Sequence, residues 1–472
     1  MKFKPFPFNC NIPQHKCGRS VVPILVLVFA WSIISTAWAA SETALPQDTA
    51  SQTSLADLVN RAIKANPKID QARNVWRAAI EKYGVVTGLP DPQLMVSYFP
   101  DPIETRLGPQ DWNVSLSFTI PYPGKLAQKG IVARTDARLA QLKLDKTIRD
   151  VVVAVRESVH ELTYIRQAQQ IADANAELLD HLRKVSETAH AQDRAAFIDV
   201  IRAQSQTGQI RYDKLLLNGL EQAEVARLNA LLDRPPDTPI APLVPETLRP
   251  IVYTLDQIYT LAETHQEEIR IKDVQVDRAL AREDLARNTN RPNFKIGLFY
   301  AAIGDPDVRT PPPEAGDDAL GVQFGISIPL WIKKNQGRVA GAKAHVRAAR
   351  AARRDRVNQT RADIRRLFFR LTTAEQTLTL YRDELLPQAA RTITLAETWF
   401  REGQTSFSNF VEAQAVWYNF NLALARAQAD YGKFLARLEK MTGRSLTHEL
   451  AHESEHGSDR ESAVTPPVKE AP

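Results

Sequence analysis

Two spacings of apolar residues alternate along this chain, and the whole sequence of them occurs twice. From Ser54, which stands at a cap position, Leu55, Leu58, Ala62 and Ile63 share one helical face. Pro67 interrupts that pattern, which resumes to about Thr87 and stops at Gly88-Leu89-Pro90-Asp91-Pro92. The period then becomes two. Leu94, Val96 and Tyr98 alternate with Gln93, Met95 and Ser97, predicting a strand. A loop rich in Pro, Gly and charge is expected from Pro100 to Asp111. A second strand follows, with Val114, Leu116, Phe118 and Ile120 on one side and Asn113, Ser115, Ser117 and Thr119 on the other. Lys125 to about Thr188 has no proline and one glycine, which predicts a helix of ~64 residues spanning roughly 95 Å. A break and a shorter helix, Phe197 to Leu232, complete the unit.

The second unit reads the same way. Thr254-Leu255 opens a helix, Phe294, Ile296, Leu298 and Tyr300 line one strand, and Leu320, Val322, Phe324, Ile326 and Ile328 line the next. A loop from Ile303 to Asp318 separates them, a long helix from about Gly337 to Arg401 carries an expected kink at Pro387, and Phe407 to Thr442 is the short helix. Individual residues coincide. Leu58, Ala62, Ile69 and Pro92 recur as Ile258, Ala262, Ile269 and Pro292. Ile120-Pro121 and Lys125 recur as Ile328-Pro329 and Lys333, and Phe197, Ala203-Gln204 and Arg227-Leu228 as Phe407, Ala413-Gln414 and Arg437-Leu438. The offset drifts only from 200 to 210. Solenoid units are far shorter, so the pattern is that of a duplicated half-protein with internal pseudo-symmetry. The expected organisation is a leader over 1–39, a polar linker over 40–53, repeats over 54–250 and 251–447 joined through the Pro-rich stretch Arg234 to Pro250, and a polar tail over 448–472.

A soluble half-buried sheet also alternates. What distinguishes these strands is that one side is uniformly large and apolar and the other small and polar, as in a barrel wall with lipid outside and water inside. Their length suits a tilted crossing of the hydrocarbon layer. Four strands cannot close a barrel, and open edges in lipid cost several kcal/mol per unpaired group. Strands from several copies must therefore be pooled, and three copies give twelve. The competing reading, a small soluble sheet beside a helical bundle, leaves the long helices without a purpose. Those helices repeat apolar residues at packing intervals, as in Val152, Val155, Val159 and Leu162. The fold class expected from these patterns is mainly α with a membrane β-barrel contribution pooled from several copies of the chain. The lipid-facing residues expected are Val114, Leu116, Phe118, Val322, Phe324 and Ile326.

Composition changes the picture in three places. Lys2, Lys4, Lys16 and Arg19, the apolar run Val21 to Ile34 and Ala37-Trp38-Ala39 read as a cleaved export signal. Those four basic residues belong to a total of 60 Lys and Arg against 55 Asp and Glu, so the remainder is close to neutral at +1 and carries no basic field for nucleic acid. Both cysteines, Cys10 and Cys17, fall in the leader, so the mature chain needs no disulfide chemistry. No nucleophile with a paired base and no Gly-rich phosphate loop is present, and neither an enzyme nor a cofactor is expected.

Two tandem units of helix, strand, strand, long helix and helix behind a signal resemble the TolC-type outer membrane efflux proteins over about residues 54 to 447. The turn Pro123-Gly124-Lys125 after Ile120-Pro121, and Phe400-Arg401-Glu402-Gly403 followed by Phe407, Phe410 and Ala413-Gln414, carry that resemblance. It implies a homotrimeric exit duct, a twelve-stranded barrel in the outer membrane continued by a long α-helical tunnel that reaches into the periplasm to meet an adaptor protein and an inner membrane pump of the RND type. It also implies a constriction where long and short helices meet. Family acids six and nine residues after a turn glycine correspond, from Gly403, to Asn409 and Glu412, of which only Glu412 is charged. The matching first-repeat positions are Asp199 and Arg202. Asp199, Asn409 and Glu412 are thus the expected constriction residues, and Asp193, Phe197, Gly403, Thr405 and Phe407 the expected adaptor-contact tips, with Phe197 and Phe407 equally readable as buried staples of the turn. Leu89-Pro90-Asp91-Pro92-Gln93-Leu94 is similar to members serving heavy-metal pumps of the Cus and Czc type. The tail residues His448, His452 and His456 would share a face if helical, a spacing suited to Zn or Cu, although a solvated tail explains them as well. Two rivals stay open at this stage: a duct for secreted polypeptides on the same fold, and a soluble periplasmic coiled-coil scaffold.

Overall fold

The computed structural model describes residues 53–191, 197–244, 247–402 and 404–447. The leader and the histidine-bearing tail lie outside them. Each repeat begins with two helices end to end. In the first, α1 (Leu55–Ala65) is capped by Ser54, whose hydroxyl accepts from Asp57 N at 3.1 Å. Asn66 ends α1 and caps α2 (Pro67–Thr87), accepting from Lys68 N at 3.0 Å, with Pro67 in the first turn, where a missing N–H costs nothing. The second repeat makes the same break without proline. Its α5 (Leu255–His265) starts in a Thr254–Gln257 capping box, and Gln266 separates it from α6 (Glu267–Thr289) while accepting from Thr360 Oγ1 at 2.7 Å.

Four strands form one antiparallel sheet in chain order: β1 (Gln93–Thr105), β2 (Gly108–Ile120), β3 (Phe294–Ile303) and β4 (Ala319–Ile326). The loop expected from Pro100 to Asp111 is mostly strand. β1 and β2 form a long hairpin with its turn at Arg106–Leu107, and a register shift between Tyr98 and Ile103 takes up Pro100 and Pro102, which cannot donate to a ladder. Between β3 and β4 the expected loop stands.

A helix of 67 residues, α3 (Lys125–Ala191), leaves β2 and extends about 100 Å. Gly124, at φ +85°, makes the corner into it. Lys125 then donates to Arg291 O at 3.1 Å and Asn293 Oδ1 at 2.7 Å, tying the first long helix to the entry of β3. α4 (Phe197–Leu231) returns along it. The second arm starts earlier than Gly337 and is not one α-helix. α7 (Ile332–Thr379) passes into a π-helical turn, Leu380–Leu385, before α8 (Leu386–Arg401), with Pro387 in the first turn of α8. The expected kink is thus resolved as a widened turn that frees the proline from an unmatched hydrogen bond. α9 (Phe407–Thr442) closes the fold, ending at Gly443 with φ +71°.

The two cores are related by the repeat. Leu58, Ala62 and Ile69 pack with Val151, Val155, Leu162, Leu228 and Leu232. Ile258 and Ala262 pack with Ile364, Leu371, Leu435 and Leu438. Nearer the sheet the helices lie side by side in the order α2, α3, α6, α7, and farther from it in the order α4, α3, α9, then α7 and α8. The repeats meet at α3 against α9 through ion pairs: Arg156–Glu439, Arg437–Glu157, Lys433–Glu161, and Lys440–Asp150 at 2.7 Å. His160 is buried in this seam against Gly432, where a Cβ would overlap its ring. Burial, with Arg156 and Lys433 adding to it, pushes the His160 imidazole down to about 4. The unfolded chain binds a proton near pH 6.5 that the fold refuses until about pH 4. Stability should therefore fall as pH drops through that window, by up to about 3 kcal/mol. Melts of the detergent-solubilised protein at pH 7.5 and 4.5 check this. His160→Asn should lose that component of the pH dependence, and equal slopes for both proteins would refute it.

Candidate functional site

The strand register sets Leu94, Leu116, Leu298 and Val322 in one row across the sheet. Val96, Val114, Tyr300 and Leu320 form the next, and Phe118, Ile296 and Phe324 another. Nearly every side chain of these rows is exposed, up to 79% for Phe324. An apolar face of this extent, left bare across four strands, marks an interaction surface. From Trp112 to Ile120 the face rises about 27 Å, near the height of a barrel's lipid band. Aromatic side chains stand toward both ends: Trp112 and Tyr300, 5.5 Å apart, at one, and exposed Trp331 at the other. The opposite face carries Gln93, Ser117, Gly297 and Gln323 in one row. Ser117 is buried there against Gly297, and Phe299 folds over Gly321, where any Cβ would meet its ring. That face is therefore polar at its edges and locally filled in the middle. β1 and β4 leave unpaired edges.

At the far end, the starts of α4 and α9 lie together, with Arg202 donating to Ser408 Oγ across the two repeats. Ser406 caps α9 by accepting from Asn409 N at 3.4 Å. Asn409 Nδ2 donates to Thr405 Oγ1 at 3.0 Å. Asn409, Glu412 and Val416 form one exposed line on α9. Phe407, Phe410, Gln414 and Tyr418 form the buried line opposite. Phe407 is 1% exposed and Phe410 0%, and Phe400 packs on both at ring separations of 5.5 and 6.3 Å. Phe407 is thus a core residue of the tip, which corrects its place among surface contacts; the periodicity of α9 had carried the signal. Gln414 donates to Asn175 of α3 beneath this cluster. Asp199 lies in the first turn of α4, and Phe197 opens that helix. Asp193 and Gly403 lie outside the described residues. Arg202, read only as a departure from an acidic pattern, is the residue that joins the tips. Among the described residues, no helix is long and apolar enough to cross a membrane, and no group of His, Cys, Asp or Glu is placed to hold a metal ion.

Residues 258–444 match the family model described as "Outer membrane efflux protein". No curated protein matches the chain. Among solved structures, the outer-membrane channel OprN aligns with 17% identity and a TM-score of 0.69, covering 84% of this chain and 91% of its own. The outer membrane protein VceC from Vibrio cholerae aligns at 15% and 0.69, covering 83% and 96%. CusC, described by its transmembrane channel formation, aligns at 14% and 0.70, covering 84% and 93%. These likenesses show a shared fold.

Proposed function

From the match of residues 258–444 to the outer membrane efflux protein model and from the shared fold, we propose that this chain is the exit duct of a tripartite pump, passing small toxic solutes from the periplasmic side to the exterior. It transports passively and is not an enzyme. Three copies pool their four strands into a twelve-stranded barrel, which pairs the edges that β1 and β4 leave open. The helices continue the pore into the periplasm, where the tips of α4 and α9 meet an adaptor, and an inner membrane pump of the RND type supplies the energy. The observation that carries this reading is the bare apolar face of the sheet, continuous with helices about 100 Å long. A scaffold in water would leave that face unsatisfied. Each repeat, 54–250 and 251–447, contributes one hairpin and one tip.

We assign Asp199 and Glu412 to the narrowed mouth, where threefold symmetry makes each position a ring of three carboxylates, and Asn409 is a neutral position of the second repeat. Glu412→Ala should reduce cation selectivity in planar bilayers by removing three charges; an unchanged reversal potential in a salt gradient removes Glu412 from the mouth. Heavy-metal ions are one cargo class, suggested by the Leu89-Pro90-Asp91-Pro92 run. Detergent extraction followed by mass determination tests the duct itself. A trimer recovered only with detergent is the expected result, and a water-soluble monomer overturns it. Growth of a deletion strain on copper, zinc and organic toxicants then assigns the cargo.

A further inference from the structure

A basic cavity opens between α6 and α7 in the first turns beneath the sheet. Its volume is about 500 Å³, and Arg278 and Arg282 of α6 line it together with Gly337, Arg338, Gly341 and His345 of α7. Its lining contains no Asp or Glu. Asp136 of α3 pairs with Arg278 and balances one charge. Arg338 donates from Nη1 to Asn290 Oδ1 at 2.6 Å, a neutral partner. Arg282 is exposed and has neither a hydrogen bond nor an ion pair among the described residues. Two guanidinium charges are thus left unbalanced around open space. That space is kept open at a cost. Gly337 and Gly341 lie one turn apart, and a Cβ on either would meet nothing within 4 Å. Glycine weakens a helix interior, and packing does not call for it here. The first repeat is built otherwise. In the register that pairs buried Val155 with Ile364 and Ile69 with Ile269, it has Ala78, Lys82, Lys129 and Asp136 in place of Arg278, Arg282, Arg338 and His345, and Val132 in place of Gly341. Guanidinium groups around a vacated helix face belong to the second repeat alone.

The packing also says which way the cavity opens. On one side of the layer α2, α3, α6, α7 lie α1, α5 and the stretch that joins the repeats. Arg166 of α3 donates there to Ile240 O at 2.8 Å and Ala241 O at 3.2 Å, and Arg361 of α7 pairs with Glu263 of α5. In a ring of three copies these segments lie outside, since inside they would block the bore. Arg338 and His345 stand about 140–160° round α7 from Arg361, on the opposite side. The cavity therefore faces the bore. Arg338 and His345 lie roughly 10 and 20 Å along α7 from its start, just below the barrel. We propose that this cavity is a binding station for an anionic group of the cargo, a carboxylate, sulfonate or phosphate on a small solute. The inference rests on the duct reading above and names a cargo class for it. Arginine presents paired donors that match such groups, and its charge is not lost at any working pH. A volume of this size takes a small organic acid and not a polymer. The site is open to the bore and half-hydrated, so binding is weak enough for release, as passage requires. A bare metal cation finds no carboxylate in this lining.

Titration calorimetry of the detergent-solubilised full chain tests this, with 1,3,5-benzenetricarboxylate as the probe in low-salt buffer at pH 7.5. The expected result is one probe bound per copy. Arg282→Ala removes a charge that has no partner in the chain and should weaken binding about tenfold or more. Gly341→Val keeps every charge and fills the space with the residue that the first repeat carries, and it should weaken binding at least as much. Arg347→Ala, on the outer side of α7, should leave binding unchanged. The trication spermidine should neither bind there nor compete. Absence of binding to the unaltered chain overturns the station, and so does equal affinity in all three variants, which would mean attraction by the general field of the basic helix. The mass of the same sample separates this from the duct reading. A trimer whose affinity ignores Arg282 and Gly341 overturns the station and leaves the duct intact. A water-soluble monomer that binds the probe with the expected pattern of variants retains the anion site and overturns the duct.

Discussion

Replacing Leu116 or Phe324 by arginine should abolish assembly in the membrane, whereas Gln323→Arg should leave a trimer with altered conductance. Leu116 stands in the middle row of the exposed apolar face, between Leu94 and Leu298. An arginine near the mid-plane of a lipid-facing strand costs about 2–4 kcal/mol, and each trimer carries three. Even one such cost is worth roughly 30-fold in an equilibrium at ~2 kcal/mol. Gln323 is exposed on the other face of β4, directly before Phe324 of the apolar face. Heat-resistant trimer in the outer membrane fraction is the quantity to measure. Equal tolerance of arginine at positions 116, 323 and 324 would mean that neither face meets lipid, and the barrel would have to be given up.

The second large effect is expected at the tips. Phe410→Ala removes a fully buried ring from the cluster that Phe400, Phe407 and Tyr418 complete, and should cost about 3–5 kcal/mol locally, with Phe407→Ala close behind. The barrel and the two upper cores share no residues with that cluster. The loss should therefore appear as local opening and not as failure to assemble: faster amide exchange over 400–420 and a higher open probability in bilayers, with trimer yield unchanged. Normal exchange there, or a loss of trimer, would contradict the energetic independence of this cluster.

Much of this architecture was legible because the periods were clean. A run of residues free of proline from Lys125 onward specifies a helix, and strict alternation from Asn113 to Ile120 specifies a two-faced strand. The hairpin beyond Tyr98 was not legible, since Pro100, Pro102 and the charges around them carry loop chemistry, and only the register shift between Tyr98 and Ile103 lets them run as strand. Pro387 announced a distortion, but its form depends on how the helix re-pairs upstream, which no single residue encodes. At the tips, the sequence marked Phe407 and Glu412 alike. Only packing separates them, because a helix start offers the same short spacing to a core anchor and to a surface charge. Arg202 could be found only once the two repeats lay side by side.

The π turn at Leu380–Leu385 has a consequence for how such an arm can change length. Above it the two long helices correspond at an offset of 209, as in Val155 and Ile364; below it Leu179 and Ala389, both buried, correspond at 210. One surplus residue in an unbroken α-helix would swing everything beyond it by about 100° and turn Phe400 away from Phe407 and Phe410. A widened turn stores the surplus like a pleat in cloth, so the fabric below hangs in its old orientation. The first arm has no such pleat. Insertions and deletions of single residues should accordingly be tolerated far better within 380–385 than at any level of α3.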